Sequence, residues 1–339
     1  MKKVKKVVSS LLVLSMMFAF VACNGSKSSQ GTKTTSTETN KGATEDTTIE
    51  KKYTIGWSVY NSAYEYFLSM QEGVLAKAEE LGIDVITHDQ KGSTAEMITG
   101  GTDLIAKGID ALVISPFNPE AMNIIVGAAK EAGIPVIVVD ISTGGADVEA
   151  LIISDNFAGG VLAGEYALEL IKEHSLTSKN VAIIKVEKTA TYANRRGEGF
   201  KRVMEESGYE VVAEITANSE QSQAYEAMKV ILASYGDDLA VVFSENDRMA
   251  LGAAQAIEEV GKKGQIMLIG FDGDAAAVGA IKDGLMQGTI AQQPYEMGEL
   301  GVELANTLLT GGTITYDDKT TKELYIEVNL IDETGEARR

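Results

Sequence analysis

Residues 108–115 read Gly108-Ile109-Asp110-Ala111-Leu112-Val113-Ile114-Ser115: a glycine that stops a helix, a short approach, and an apolar run ending in a polar residue. A continuous apolar run of this length between turn signals is the pattern of a strand buried on both faces. Working outward, similar runs occur at Thr54 to Val59, Val85 to Thr87 and Pro135 to Asp140. Between them lie stretches of helical period, such as Phe67, Met70, Val74, Ala78 and Leu81. Gly82, Gly108 and Gly133 each follow such a stretch and precede the next strand, as helix-stop glycines do. This alternation predicts a parallel sheet with helices on both faces.

After Ser154 the plan repeats, with strands expected at Val181 to Lys185, Val211 to Ile215, Ala240 to Ser244 and Ile266 to Phe271. The segment Gly236-Asp237-Asp238-Leu239-Ala240-Val241-Val242-Phe243-Ser244 reads like residues 108–115, and the strands that follow the two segments end at Asp140 and Asp272. The expected fold class is therefore α/β, with two similar doubly wound parallel-sheet lobes. Ligands of such sheets sit beyond the carboxyl ends of the strands, which makes Tyr60, Asn61, Ser115, Asp140, Ser244 to Asp247 and Asp272 candidates on position alone. Ser115 and Asn61 are equally placed to cap helices. Trp57, inside the first strand, is expected in the core.

The chain has 339 residues, enough for two domains, and 45% are hydrophobic, so two cores can be buried. With 30 Lys+Arg against 49 Asp+Glu, the net charge of -19 repels phosphate backbones, so nucleic acid is not an expected partner. Lys2, Lys3, Lys5 and Lys6, then the apolar run Val7 to Phe20, then Val21-Ala22-Cys23 have the three parts of a secretory signal. Cys23 is the sole cysteine and resembles the acylated cysteine of bacterial lipoproteins, with Phe20 where that signal usually has Leu. The alternative is plain cleavage nearby or an uncleaved anchor. Residues 1–22 are thus expected to be a signal peptide and 23–52 a lipidated tether, because the Ser-, Thr- and Gly-rich segment from Asn24 to about Glu50 has too little apolar content to order itself.

Enzymatic signatures are missing. The globular part holds no phosphate loop, dinucleotide fingerprint or nucleophile elbow. Only His88 and His174 occur, in different expected lobes, so no histidine metal site or triad is expected, and both are read as surface residues. Asp140 and Asp272 have the chemistry of a glycosidase pair, but also that of two hydrogen-bond acceptors. No enzyme activity, cofactor or metal is expected.

Five motifs in order carry a resemblance. Ile153-Ser154-Asp155-Asn156 with Gly159-Gly160 comes first, joined by Arg196-Gly197-Glu198-Gly199-Phe200. Asn246-Asp247-Arg248-Met249-Ala250-Leu251-Gly252, Gly270-Phe271-Asp272-Gly273 and Thr289-Ile290-Ala291-Gln292-Gln293-Pro294 complete them. Over roughly Tyr53 to Leu330 the chain resembles the periplasmic sugar-binding proteins of ABC transporters, type 1, of the ribose- and galactose-binding kind. The resemblance implies a hinge of three crossovers near Ser154, Gln292 and Lys322. It implies a first lobe of residues 53–154 plus 293–321 and a second of 155–292 plus 322–332. It implies hydrogen bonds from Asp140, Asn246, Asp272 and Gln292 to ligand hydroxyls, with Tyr66 and Phe67 against the ring.

Ribose binders of this type place Arg at the positions of Ile141 and Asn194. Tyr60 instead resembles the galactose-binding pattern, Tyr64 replaces a polar contact residue, and Tyr192 falls near a further contact. With Arg196, these complete the implied binding set. The implied ligand is a hexose, pentose, inositol or linear polyol. The implied partners are that small molecule, a transporter permease and, through Cys23, the outer face of the cell membrane, with the protein acting as a monomer. A sensory receptor of the same fold, feeding a membrane sensor, is the alternative.

Overall fold

The computed structural model describes residues 52–338. The signal and tether expected at 1–52, and with them Cys23, lie outside the described residues apart from Lys52. No helix among the described residues is long and apolar enough to cross a membrane.

The first sheet contains β1 (Thr54–Val59), β2 (Asp84–Asp89), β3 (Ala111–Ile114), β4 (Val136–Val139) and β5 (Ala150–Ser154). Its strand order is β2-β1-β3-β4-β5, and β11 (Glu323–Ile326) adds a parallel strand beside β5. The second sheet repeats this order with β6 (Asn180–Lys185), β7 (Glu210–Thr216), β8 (Val241–Ser244), β9 (Met267–Asp272) and β10 (Gly288–Ala291), as β7-β6-β8-β9-β10. The antiparallel β12 (Asn329–Asp332) and β13 (Ala337–Arg338) extend it. The repeat read from residues 108–115 and 236–244 thus holds at the level of topology. In both sheets the strand order reverses beside β1 or β6, and a crevice opens at the carboxyl end of that switch point.

Each sheet is covered on both faces, because its central strands carry apolar side chains in both directions. Trp57 is fully buried in the first-lobe core. Helix α1 (Glu65–Leu81) packs on α9 (Pro294–Leu309), and α4 (Asn156–Glu173) packs on α5 (Thr191–Glu206). Both crossings are made by glycines. A Cβ on Gly73 or Gly298 would strike the partner backbone at Tyr295 or Met70, and one on Gly160 or Gly199 would strike Arg196 or Phe157. The Gly159-Gly160 and Arg196-Gly197-Glu198-Gly199 motifs are therefore contact surfaces between helices. Gly82 and Gly133 end their helices in the left-handed conformation, and Gly108 follows α2 (Thr94–Ala106) in the same conformation.

The chain passes between the sheets at Asp155, at Gln292 to Gln293, and at Glu327 to Val328. The third position corrects the reading from sequence, which put it near Lys322 and assigned 322–332 wholly to the second lobe. Glu323–Ile326 pairs in register with Leu151–Ser154 of the first sheet, and only β12 enters the second. A four-residue edge strand carries no sign in its own sequence of which sheet it completes. His88 is likewise half-buried rather than a plain surface residue: its Nδ1 lies 3.3 Å from the Ser58 hydroxyl, and its ring fills the space left by Gly100 of α2. His174 is exposed at the end of α4.

Candidate ligand-binding cleft

The first-lobe wall is aromatic. Past the end of β1, the Tyr60 ring stacks on Phe67 of α1 at 4.7 Å between centroids, and Phe117, past β3, closes on it at 5.1 Å. Gln90 fixes this corner. Its buried amide donates to the carbonyls of Ser58 and Ser115 at 3.1 and 2.9 Å and accepts from the Phe117 N–H at 2.8 Å. It thereby ties the two strands on either side of the switch point, and the aromatics inherit their places. Phe67 also packs on the first-lobe core. Tyr64 is more than half exposed at the start of α1, edge-on to Phe67.

The polar groups form one connected network through the hinge. Tyr66 donates its hydroxyl proton to Asp140 Oδ1 at 2.7 Å, and Gln292 Oε1 lies 3.3 Å from the same hydroxyl. Gln292, at the second crossover, accepts from Ser154 Oγ at 2.7 Å and donates from Nε2 to Asp272 Oδ1 at 2.7 Å. Asp272 Oδ1 also accepts from Arg196 Nη1 at 3.0 Å. Arg196 is 5% exposed, its guanidinium lies 3.8 Å over the Phe271 ring, and it donates to Asn156 Oδ1 and the Glu245 carbonyl at 2.7 and 2.8 Å. First-lobe Asp140 and second-lobe Asp272 are thus joined by a hinge glutamine.

Both aspartates stand where their strands end, with φ of 73° at Asp140 and 128° at Asp272. Non-glycine residues rarely adopt such backbone; aspartate is enriched near the first value, in the left-handed region, whereas side chains of any kind seldom take the second. The turn redirects each carboxylate from the sheet into the crevice. Burial pushes the Asp140 carboxyl up to about 6, against the pull of Tyr66 and Arg196. Asp272 is raised by burial too, with Arg196 opposing. Burial raises Asp274, as does the charge of Glu65.

The other expected site residues divide. Tyr192 is half-buried against the second-lobe core, its hydroxyl pushed up by burial. Asn246 caps α7 (Asp247–Glu259) by accepting from the Met249 N–H at 2.9 Å. Asn194 spends its amide on the Glu187 and Ala190 carbonyls at 3.2 and 2.9 Å, and so shapes the loop after β6 instead of facing outward. Asn61 accepts from the Ala63 N–H as a turn residue. Ser115 is fully buried, its carbonyl serving Gln90. Asp247 is also buried, holding the Thr289 hydroxyl at 2.8 Å and the Gly273 and Asp274 N–H groups at 2.9 and 2.8 Å. A side chain on Gly270 would collide with it, which gives the first glycine of Gly270-Phe271-Asp272-Gly273 its reason.

Sequence reading marked Glu245 by position and Asn156 by motif but gave neither a role; both hold Arg196 from behind. Glu245 is fully buried, accepts from the Val186 N–H at 2.7 Å, lies 3.6 Å from Lys185, and has its carboxyl pushed up to about 7 by burial. Its place one residue past β8 was the available signal. The arrangement as a whole presents carboxylates, amides and one guanidinium opposite stacked rings, which is the equipment for holding a hydroxylated ring or chain.

Comparison with known proteins agrees with this geometry. Residues 55–313 match the family described as periplasmic binding protein domain. The chain is similar to the ribose import binding protein RbsB of Bacillus subtilis, at 33% identity over 91% of this chain and 94% of that protein. It is also similar to a solved solute-binding protein of an ABC transporter from Actinobacillus succinogenes with bound D-allose. That likeness has a TM-score of 0.70 and 27% identity, covering 84% of this chain and 98% of the other. A Bacillus halodurans solute-binding protein with bound myo-inositol is similar with a TM-score of 0.68 and 27% identity, over 84% and 95% of the two chains.

Proposed function

The chain belongs to the periplasmic binding protein family, as a type 1 sugar-binding protein of the ABC-transporter kind, and on that premise we propose that it captures one monosaccharide, inositol or polyol between its lobes. It then presents the closed complex to a membrane permease. Cys23, once acylated, holds it as a monomer at the outer face of the cell membrane, with residues 24–50 as the spacer.

The observation that carries this reading is the Asp140–Tyr66–Gln292–Asp272–Arg196 network at the hinge, facing the Tyr60, Phe67 and Phe117 rings. Carboxylates accept ligand hydroxyls, the guanidinium and amides donate to them, and the rings meet the C–H face of a sugar. All three crossovers between the lobes run beside this network, so a ligand seated there touches both lobes and favours their closure. Such a protein binds its solute unchanged; the relatives are binding components of transporters.

A thermal-shift screen over D-ribose, D-allose, D-galactose, D-xylose, myo-inositol and xylitol tests the proposal. A true ligand at 100 times its Kd adds about 2.7 kcal/mol of stability, which raises the melting temperature by several degrees. A panel of sugars and polyols that leaves the melting temperature unmoved would sink it.

A further inference from the structure

Arg195 stands next to the cleft arginine but faces away from the network. From α5 in the second lobe it donates through Nη1 to Glu323 Oε2 at 2.8 Å and through Nη2 to Glu323 Oε1 at 3.1 Å. Glu323 begins β11, which belongs to the first sheet. Tyr325, on the same strand, donates its hydroxyl to Glu323 Oε2 at 2.9 Å. Glu323 is 5% exposed and the Arg195 side chain 35%. A two-point ion pair therefore joins the lobes beside the third crossover.

Its geometry makes it sensitive to closure. Glu323 lies four residues before Glu327, where the crossover begins, so it sits roughly 13 Å from it at about 3.3 Å per residue. Each 10° of rotation about the hinge displaces the two groups by about 2 Å at that radius, and a forked pair tolerates less than that. When the lobes part, Glu323 loses its cation and keeps only the Tyr325 hydroxyl as a side-chain partner. Water then replaces the forked, charge-assisted pair, so parting forfeits its net strength.

We infer that Arg195 and Glu323 form a latch that favours the interlobe arrangement in which they meet, without touching ligand, and so set the affinity of the cleft for whatever it binds. Affinity scales with the fraction of molecules in the binding-competent state. The consequence for affinity rests on the capture reading; the latch itself does not.

Spin labels on Leu75→Cys in α1 and Val230→Cys in α6 (Gln221–Tyr235), 44% and 57% exposed and one in each lobe, report the interlobe distance in the full-length protein carrying Cys23→Ser. Without any sugar, Arg195→Gln should raise the ratio of long to short distances about three- to tenfold, the range for a well-formed but partly exposed pair. Glu323→Gln should do the same, and the two together no more than either alone. The exchange Arg195→Glu with Glu323→Arg should regain the short distance. If Arg195→Gln fails to fold by circular dichroism, Arg195→Lys, which keeps the charge and loses the fork, should show a smaller shift of the same sign. Unchanged distances in folded variants, or two shifts that simply add, overturn the latch. A failed sugar screen would leave this test standing, because no sugar enters it.

Discussion

Asp272 shows how a residue can be placed from sequence while its surroundings are not. Its position at the end of a buried strand marked it, but said nothing of the groups around it. The structure pairs it with Arg196 and Gln292 and leaves its side chain 21% exposed. Nor does it cap the following helix, whose first flanking residue is Asp274. We expect Asp272→Asn to melt within a few degrees of the parent, because Arg196 keeps Asn156 and the Glu245 carbonyl. Affinity for the sugar found by screening should fall by about tenfold or more, since hydrogen bonds to a charged group contribute about 1.5–3 kcal/mol each. Calorimetric titration and melting of one sample decide it; unchanged affinity with a large drop in melting temperature would make Asp272 structural. Asp140 gives the pH dependence. Its carboxyl ordinarily loses its proton near 3.8 and in the fold near 6, so the folded, empty protein holds the extra proton between those values. Asp140 therefore lowers stability as pH rises through that window, and its cost is complete above about 6. A ligand whose hydroxyls donate to the carboxylate competes with that proton. Affinity should be steady above pH 7 and decline as pH falls through about 6, and Asp140→Asn should remove part of the decline. Titrations from pH 5 to 8 with no slope would contradict this.

Helices and strands were the most readable level. The helix-stop glycines and the apolar runs follow from local rules about left-handed backbone and two-sided burial, and all eight strands expected from them overlap observed ones along most of their length, Val85 to Thr87 being the one most extended in the structure. The glycines inside helices were readable only as motifs. Their reason is the contact of α4 with α5 and of α1 with α9, which no local rule announces. Gly160→Ala should therefore force the α4–α5 crossing apart and destabilise the second lobe by about 1–3 kcal/mol, as overpacking against backbone does. A control such as Gly127→Ala, where an added Cβ meets nothing within 4 Å, should leave stability nearly unchanged or slightly raised. Denaturant unfolding of both variants checks the contrast, and equal midpoints would mean that the crossing relaxes at little cost.

At the scale of the molecule, the chain outside the two lobes should be dispensable for folding and binding. The first strand begins at Thr54, and the preceding Tyr53 is already tied by its hydroxyl to the Leu309 carbonyl at 2.9 Å. A fragment beginning at Lys51 should match the mature protein in calorimetric melting and in sugar affinity, whereas a large loss would show that residues 24–50 contribute structure. The same segment should matter for location: fatty-acid labelling in cells should mark the parent and not Cys23→Ala, and equal label on both would refute the anchor. The sequence by itself determined the fold class, the doubling of the lobes and the strand ends where ligand groups gather. These are set by burial period and chain connectivity, which are written locally and repeat visibly. Only the tertiary structure decided that Glu323–Ile326 completes the first sheet, that Asn194 is spent on its own loop, and that Asn156 and Glu245 hold Arg196. It alone brought Arg195 to Glu323. The β11 pairing and the Arg195–Glu323 pair join residues more than a hundred apart, and the others join groups 4 to 49 residues apart that only packing brings together; a partner chosen by packing leaves no periodic trace in the chain that carries it.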